Sequence, residues 1–245
     1  MNYEEYMLSL KEWAMSIAIY VVADSLIAFF FYRSFIVFIG LLPGYYFFLK
    51  EYKKRLIAKR KKQLLDEFSE VLLSVSLNMK SGHSIENAFV EAYKDIKLFY
   101  GDKSLMAEEI MRIRKGLEIN ITLEELIDDL AKRSEEIEIR MFSDVCKSAK
   151  RNGGNITEVL LNTAEKIRAG INTDMEIETL IAEKKLELRI MEAVPFFLMA
   201  YLEVTSTGYF SPLYKGLPGR LVMTACLLVY ILAVLVGNWI MDIEV

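Results

Sequence analysis

The chain has 245 residues, of which 53% are hydrophobic and 26% charged, and carries a formal net charge of −4. A single water-soluble domain rarely holds both fractions at these levels, so apolar and charged residues must be segregated along the chain. The near balance of charge excludes a general polyanion-binding surface, and no nucleic acid is expected as a partner.

Residues 13–49 and 190–241 are mostly apolar, and residues 50–189 hold most of the charge. Trp13 to Phe31 is broken only by Asp24 and small hydroxyl residues, and is long enough to cross a hydrocarbon core of about 30 Å. After the polar break Tyr32-Arg33-Ser34, Phe35 to Leu49 supplies a second and shorter run with Tyr45 and Tyr46 suited to an interface. Ile190 to Phe210 and Leu221 to Ile240 form a second pair, joined by a Pro- and Gly-bearing loop. Four membrane-spanning helices is the simplest count. No cleavable leader is expected, because Lys11 precedes a long apolar stretch without a small-residue cleavage site.

Lys50, Lys53, Lys54, Arg55, Lys59, Arg60, Lys61 and Lys62 follow the second run, against single Arg33 and the pair Lys215 and Arg220 in the hairpin loops. Positive residues are retained on the cytoplasmic side. Both termini and the central domain are therefore expected in the cytoplasm of a multi-pass cell-membrane protein, with the stretch Lys50–Lys62 against anionic lipid. The expected organisation is a membrane hairpin over 1–50, a cytoplasmic domain over 51–189 and a second membrane hairpin over 190–245. Cys146 falls in the charged part and Cys226 in the last apolar run, a poor pair for a disulfide.

Within 51–189 the 25 Lys+Arg nearly match 26 Asp+Glu, and apolar residues recur at helical spacing. Leu64, Leu65, Phe68, Val71, Leu72, Val75 and Met79 make one stripe. Ile85 to Ile96, Leu123 to Leu130, Met141 to Ala149 and Ile156 to Ile167 make others, and no strand-like alternation occurs. The domain is expected to be all-α, a bundle of antiparallel helical hairpins. Its breaks repeat: Ser81-Gly82-His83-Ser84-Ile85 lines up with Asn152-Gly153-Gly154-Asn155-Ile156 at an offset of 71 residues. Gly82 or Gly153-Gly154 can take the left-handed conformation that ends a helix, and Ser84 or Asn155 can cap the next. A third break, Gly116 to Asn120, leads to Thr122 and Glu125 at capping-box spacing.

These turns, with Ala88-Phe89, Ile156, Val159-Leu160, Arg168 and the long following helix into Pro195, resemble the type II secretion system F domain. That family comprises inner-membrane platform proteins of type II secretion, type IV pili, Tad-like pili and archaeal filaments. The resemblance covers roughly residues 60–210. It implies a non-enzymatic subunit that engages a separate secretion ATPase and a pilin or pseudopilin. Many members carry two copies of the domain and this chain has one, which implies that another copy of itself or a second F-domain subunit supplies the other.

Acidic residues in apolar helices are costly and mark candidate functional positions. Asp24 lies near the middle of the first span, and Glu192 and Glu203, 11 residues apart, return to nearly one helical face. All three are candidate intramembrane partner contacts, and Pro195 between the two glutamates is a candidate hinge. Glu124, Glu125, Asp128 and Asp129 form the centre of an acidic face, a candidate docking surface. His83 has no neighbours at metal-ligand spacing, and no nucleotide, nucleophile-elbow or metalloprotease motif occurs, so no catalytic residue, metal or cofactor is expected. Two other classes stay open: a transporter or channel subunit, suggested by Asp24 and Glu203, and a membrane-anchored scaffold or sensor.

Overall fold

The structure, a computed structural model, describes residue 3 and residues 8–152, 156–206, 208–214 and 216–241. Every regular element among them is helical. In chain order these are α1 (Leu10–Ile27), which widens into a π-helical turn (Ala28–Tyr32), α2 (Phe35–Leu41), a 3-10 turn (Leu42–Gly44) and α3 (Tyr45–Lys80). Then come α4 (Ile85–Tyr100), α5 (Leu105–Glu118), α6 (Leu123–Ser134), α7 (Ile137–Asn152), α8 (Ile156–Thr205), α9 (Ser211–Tyr214) and α10 (Leu217–Met241). The chain divides into two compact units, one of Tyr3 with residues 53–175, the other of residues 8–52 and from 176 onward.

The first unit is a helical bundle in which α4 packs on α5, α5 on α6 and α6 on α7. The stripe on α3 is its spine: Leu64, Phe68, Val71, Leu72 and Val75 are all fully buried. Phe142 of α7 sits between Phe68 and Phe89, its ring centroid 6.0 Å from each. The duplication seen in sequence extends to the core. Phe68 and Ile139, Val71 and Phe142, Leu72 and Ser143, Val75 and Cys146, and Ile96 and Ile167 are five buried pairs, each separated by the same 71 positions. Helical hairpins with equivalent inward positions stack on one another because each alone leaves an apolar face in water.

Two acidic side chains are buried in this bundle with their partners. Glu67 accepts from the backbone N–H of Met106 at 2.8 Å, placing a carboxylate on the exposed donors of the α5 N-terminus, where Ser104 also caps Ala107. Gln63 donates to the other oxygen at 2.8 Å. Glu109, 2% exposed, receives both arms of the Arg133 guanidinium at 2.8 and 2.6 Å, and Arg133 also reaches Asp129 at 2.7 Å. Tyr3 donates its hydroxyl to Glu109 at 2.9 Å.

In the second unit, α1 runs against α2, and the π-helical turn packs on α10. Among the described residues three helices are long and apolar enough to cross a membrane by themselves: Leu10–Tyr32, Phe35–Lys80 through its apolar first part, and Pro218–Ile240. Of the four apolar stretches expected to span, the third does not qualify by itself. The physical reason lies in the last part of α8, where Arg189, Glu192 and Glu203 fall within 15 residues and dilute an otherwise apolar stretch. That stretch is also not a separate helix but the end of one that runs unbroken for 50 residues.

Burial raises the Glu109 carboxyl, yet the bonds and charge of Arg133, with Arg112 and Tyr3, outweigh it and hold the group below the ordinary glutamate range. A carboxyl lowered on folding gives stability that is complete above its unfolded value and lost as pH falls through its folded value. Acid melts of the full chain, followed by circular dichroism, are expected to lose stability below the ordinary glutamate range, and Glu109→Gln to flatten that loss. At neutral pH, Arg133→Met strands the Glu109 charge and is expected to cost about 3–5 kcal/mol.

Candidate functional site

The membrane unit departs from regular helix geometry at three places, and a tyrosine hydroxyl meets a backbone carbonyl at each. Pro43, without an N–H, sits in the 3-10 turn, and Tyr20 of α1 donates to the Leu41 carbonyl at 2.6 Å. In the π-helical turn the Phe30 carbonyl receives the hydroxyl of Tyr214 at 2.7 Å. Pro195 interrupts α8, and Tyr230 of α10 donates at 2.9 Å to the carbonyl of Glu192, three residues before it. A tyrosine hydroxyl therefore stands beside each irregularity, at a carbonyl within one turn of it, although the carbonyl whose helical donor Pro195 removes is that of Met191, four residues back. The residue after the proline is fixed as well: Phe196 packs edge-on against Tyr230 at 5.5 Å and against Phe30 and Phe31 at 6.1 and 6.3 Å.

The three acids of this unit stand in different environments. Glu203 is paired with Arg33 at 2.5 Å, and the guanidinium also lies 5.8 Å from the Phe29 ring and 5.6 Å from the Tyr214 ring. Glu192 has one carboxylate oxygen buried without a hydrogen-bond partner. Asp24 is 3% exposed, and neither of its oxygens has a partner. No hydrogen bond or ion pair joins the three to one another among the described residues. Reading the sequence treated Arg33 only as a loop charge. A lone arginine and a lone glutamate, each in an otherwise apolar stretch, were the available signal that they belong together.

In the bundle, Gly82 has φ +92° and the N–H of His83 reaches back to the Asn78 carbonyl at 3.2 Å, closing α3. Ser84 then accepts from the N–H of Asn87 at 3.3 Å, opening α4. The equivalent second turn, Gly153, Gly154 and Asn155, lies outside the described residues. At the third break the left-handed residue is Asn120, φ +64°, while Gly116 stays inside α5. Thr122 and Glu125 form the capping box of α6.

The acidic face of α6 is largely compensated from within. Lys132 meets Asp128 at 2.8 Å, Lys147 meets it from α7, and Arg133 takes Asp129. Lys132 and Lys147 hold the Asp128 carboxyl below its usual range. Glu125 turns back to the N–H of Thr122 at 3.4 Å, Glu124 is half-buried and Arg168 lies 3.8 Å from Glu70. Cys146 is buried in the core, where burial pushes its thiol up to about 12 and disfavours the thiolate.

The sequence profile of Type II secretion system (T2SS), protein F matches residues 71–203, slightly more than half of the chain. This chain belongs to that family. No curated protein and no solved structure matches it. The T2SS protein F match begins within α3 and ends two residues before the end of α8, so it takes in the helical bundle from Val71 onward, the acidic face of α6, Glu192, Pro195 and Glu203. Asp24, Arg33 and Tyr3 lie outside it. As a protein F family member with three helices apolar enough to span, the chain is a membrane protein.

Tyr230 can be tested apart from its ring. Tyr230→Phe leaves the aromatic packing and removes the donor to the Glu192 carbonyl, which is expected to cost about 1 kcal/mol. Hydrogen exchange around residues 190–198 is expected to rise about fivefold, with exchange in α4 unchanged.

Proposed function

We propose that the chain is a non-enzymatic platform subunit of a type IV filament or type II secretion-like machine. It couples a cytoplasmic secretion ATPase, a separate chain, to the assembly of a pilin or pseudopilin. The observation that carries the reading is the protein F match over the helical bundle in a chain that also bears membrane-spanning helices. The second copy of the domain that many family members carry is supplied by another copy of this chain or by a second F-domain subunit.

The bundle and the N-terminus face the cytoplasm. The basic stretch Lys50–Lys62 supports this, held on that side by the membrane potential and by anionic lipid. So does Tyr3, which belongs to the bundle although α1 separates it in sequence from the rest of that unit. The end of α8 enters the bilayer as a dependent helix. Its Glu203 is met by Arg33 and its Phe196 packs on Tyr230 and the π-helical turn, which lowers the cost of a segment too charged to insert alone. The C-terminus then returns to the cytoplasm through α10.

In this reading the ATPase engages the acidic face around Glu124, Glu125, Asp128 and Asp129. Exposed ion pairs of the kind that occupy that face are worth about 0.2–1 kcal/mol, so a basic partner can displace them. Movement passes along α8, with Pro195 as the hinge where it enters the membrane and Asp24, Glu192 and Glu203 as contacts for the pilin helix. An ion path is the second reading, favoured by Asp24 alone, a buried carboxylate with no partner. A flux assay in liposomes separates the two.

Crosslinked membranes are expected to yield a complex of this chain with a hexameric ATPase, and absence of the ATPase from that complex counts against the platform. Pro195→Ala is expected to impair filament assembly with the protein still inserted at normal level. Normal filaments in that variant remove Pro195 as a hinge.

A further inference from the structure

Tyr3 is held from three helices of the bundle. It is 1% exposed. Its hydroxyl donates to Glu109 Oε1 at 2.9 Å, and its backbone N–H donates to the Arg133 carbonyl at 3.3 Å. The Arg60 guanidinium lies 5.4 Å from the centre of its ring. These partners come from α5, α6 and α3, so three helices of one unit converge on one side chain. Each contact reads a different feature: a carboxylate takes the phenol O–H, a cation takes the aromatic face, and a carbonyl takes the backbone.

We infer that this convergence is a peptide-binding seat of the helical bundle whose occupant is the chain's own N-terminal segment, bound in cis through Tyr3. The seat acts as a strap. Occupied, it ties the segment that leads into α1 to α5 and α6. Released, it withdraws one donor from the buried Glu109–Arg133 pair and opens that pair to water. The occupant class is a tyrosine-bearing peptide. The seat follows from contacts within one unit and does not depend on the platform reading.

The test uses the full chain in nanodiscs, read by hydrogen exchange over residues 105–134. Tyr3→Phe keeps the ring and removes only the hydroxyl bond to a charged acceptor, and is expected to speed exchange there by about tenfold. Tyr3→Ala is expected to go further, with α4 unchanged. Adding a synthetic peptide of residues 1–9 to the Tyr3→Ala chain restores protection, and the same peptide with Phe for Tyr at its third position restores less. Unchanged exchange over 105–134 in Tyr3→Ala overturns the seat. A uniform rise over every helix without peptide rescue makes Tyr3 a packing residue only and overturns it too. Protection in the unaltered chain that falls on hundredfold dilution places the segment of a second copy in the seat and overturns binding in cis.

Discussion

A polar group taken out of water must take its partner with it, and that constraint shapes both units of the chain. In the bundle it is met by side-chain and backbone donors aimed at two buried acids. Glu67 goes inside because the α5 N-terminus and Gln63 meet it, and Glu109 because Arg133 closes on both of its oxygens. In the membrane unit the same constraint falls on the backbone. Pro43, the π-helical turn and Pro195 each disturb the regular helical bonding, and Tyr20, Tyr214 and Tyr230 each supply a hydroxyl there. Apolar packing fills the space between these points, but the paired polar groups fix which helix lies beside which.

Some of this could be read from the residues alone. The α3 stripe from Leu64 to Met79 has the three- and four-residue spacing of a helix with one buried face, and six of its seven members are buried. The turn at Gly82 and Ser84 has its own local chemistry, and so has the capping box at Thr122 and Glu125, because each involves residues within one helical turn. The duplication was visible for the same reason. What escaped depends on residues far apart in sequence. Glu109 is one acid among many until Arg133, 24 positions on, turns out to face it. Tyr230 and Pro195 belong to different helices, and nothing local marks their meeting. Gly116 suggested a break, but the helix ran through it and Asn120 took the left-handed turn instead, two residues beyond the last turn of α5. The third apolar stretch does not stand as a span by itself because α8 changes character along its length and carries Arg189, Glu192 and Glu203 into it.

The five buried pairs at a 71-residue offset bear on how the bundle can move. Equivalent inward positions in two hairpins, apolar in both at four of the five pairs, give two related packed faces, and faces of that kind slide or rotate as wholes more readily than they deform, because close packing tolerates few intermediate arrangements. In the proposed mechanism α8 is the element that carries such a displacement, being continuous for 50 residues, with a single proline at position 195. A proline alone gives only a weak point in a helix. A proline whose neighbouring carbonyl is held by Tyr230, and whose next residue is clamped between Tyr230, Phe30 and Phe31, gives a weak point with a defined resting position. A hinge in a transmitting element needs both properties, because a joint that is loose at rest passes on no displacement.

The acids of the membrane unit divide on the same physical ground. Glu203 has its cation, and the rings of Phe29 and Tyr214 flank that cation, so the pair is a finished structural contact. Breaking it would leave a charge without compensation, so a partner helix that takes Glu203 must bring a donor in place of Arg33. Asp24 is the reverse. Burying a carboxyl with both oxygens unpartnered is among the least favourable arrangements a membrane helix can hold, and replacing it by an apolar residue would relieve that cost at once. In the proposed platform a polar group of the pilin helix would meet Asp24, and the unpartnered oxygen of Glu192 offers it a second contact of the same kind.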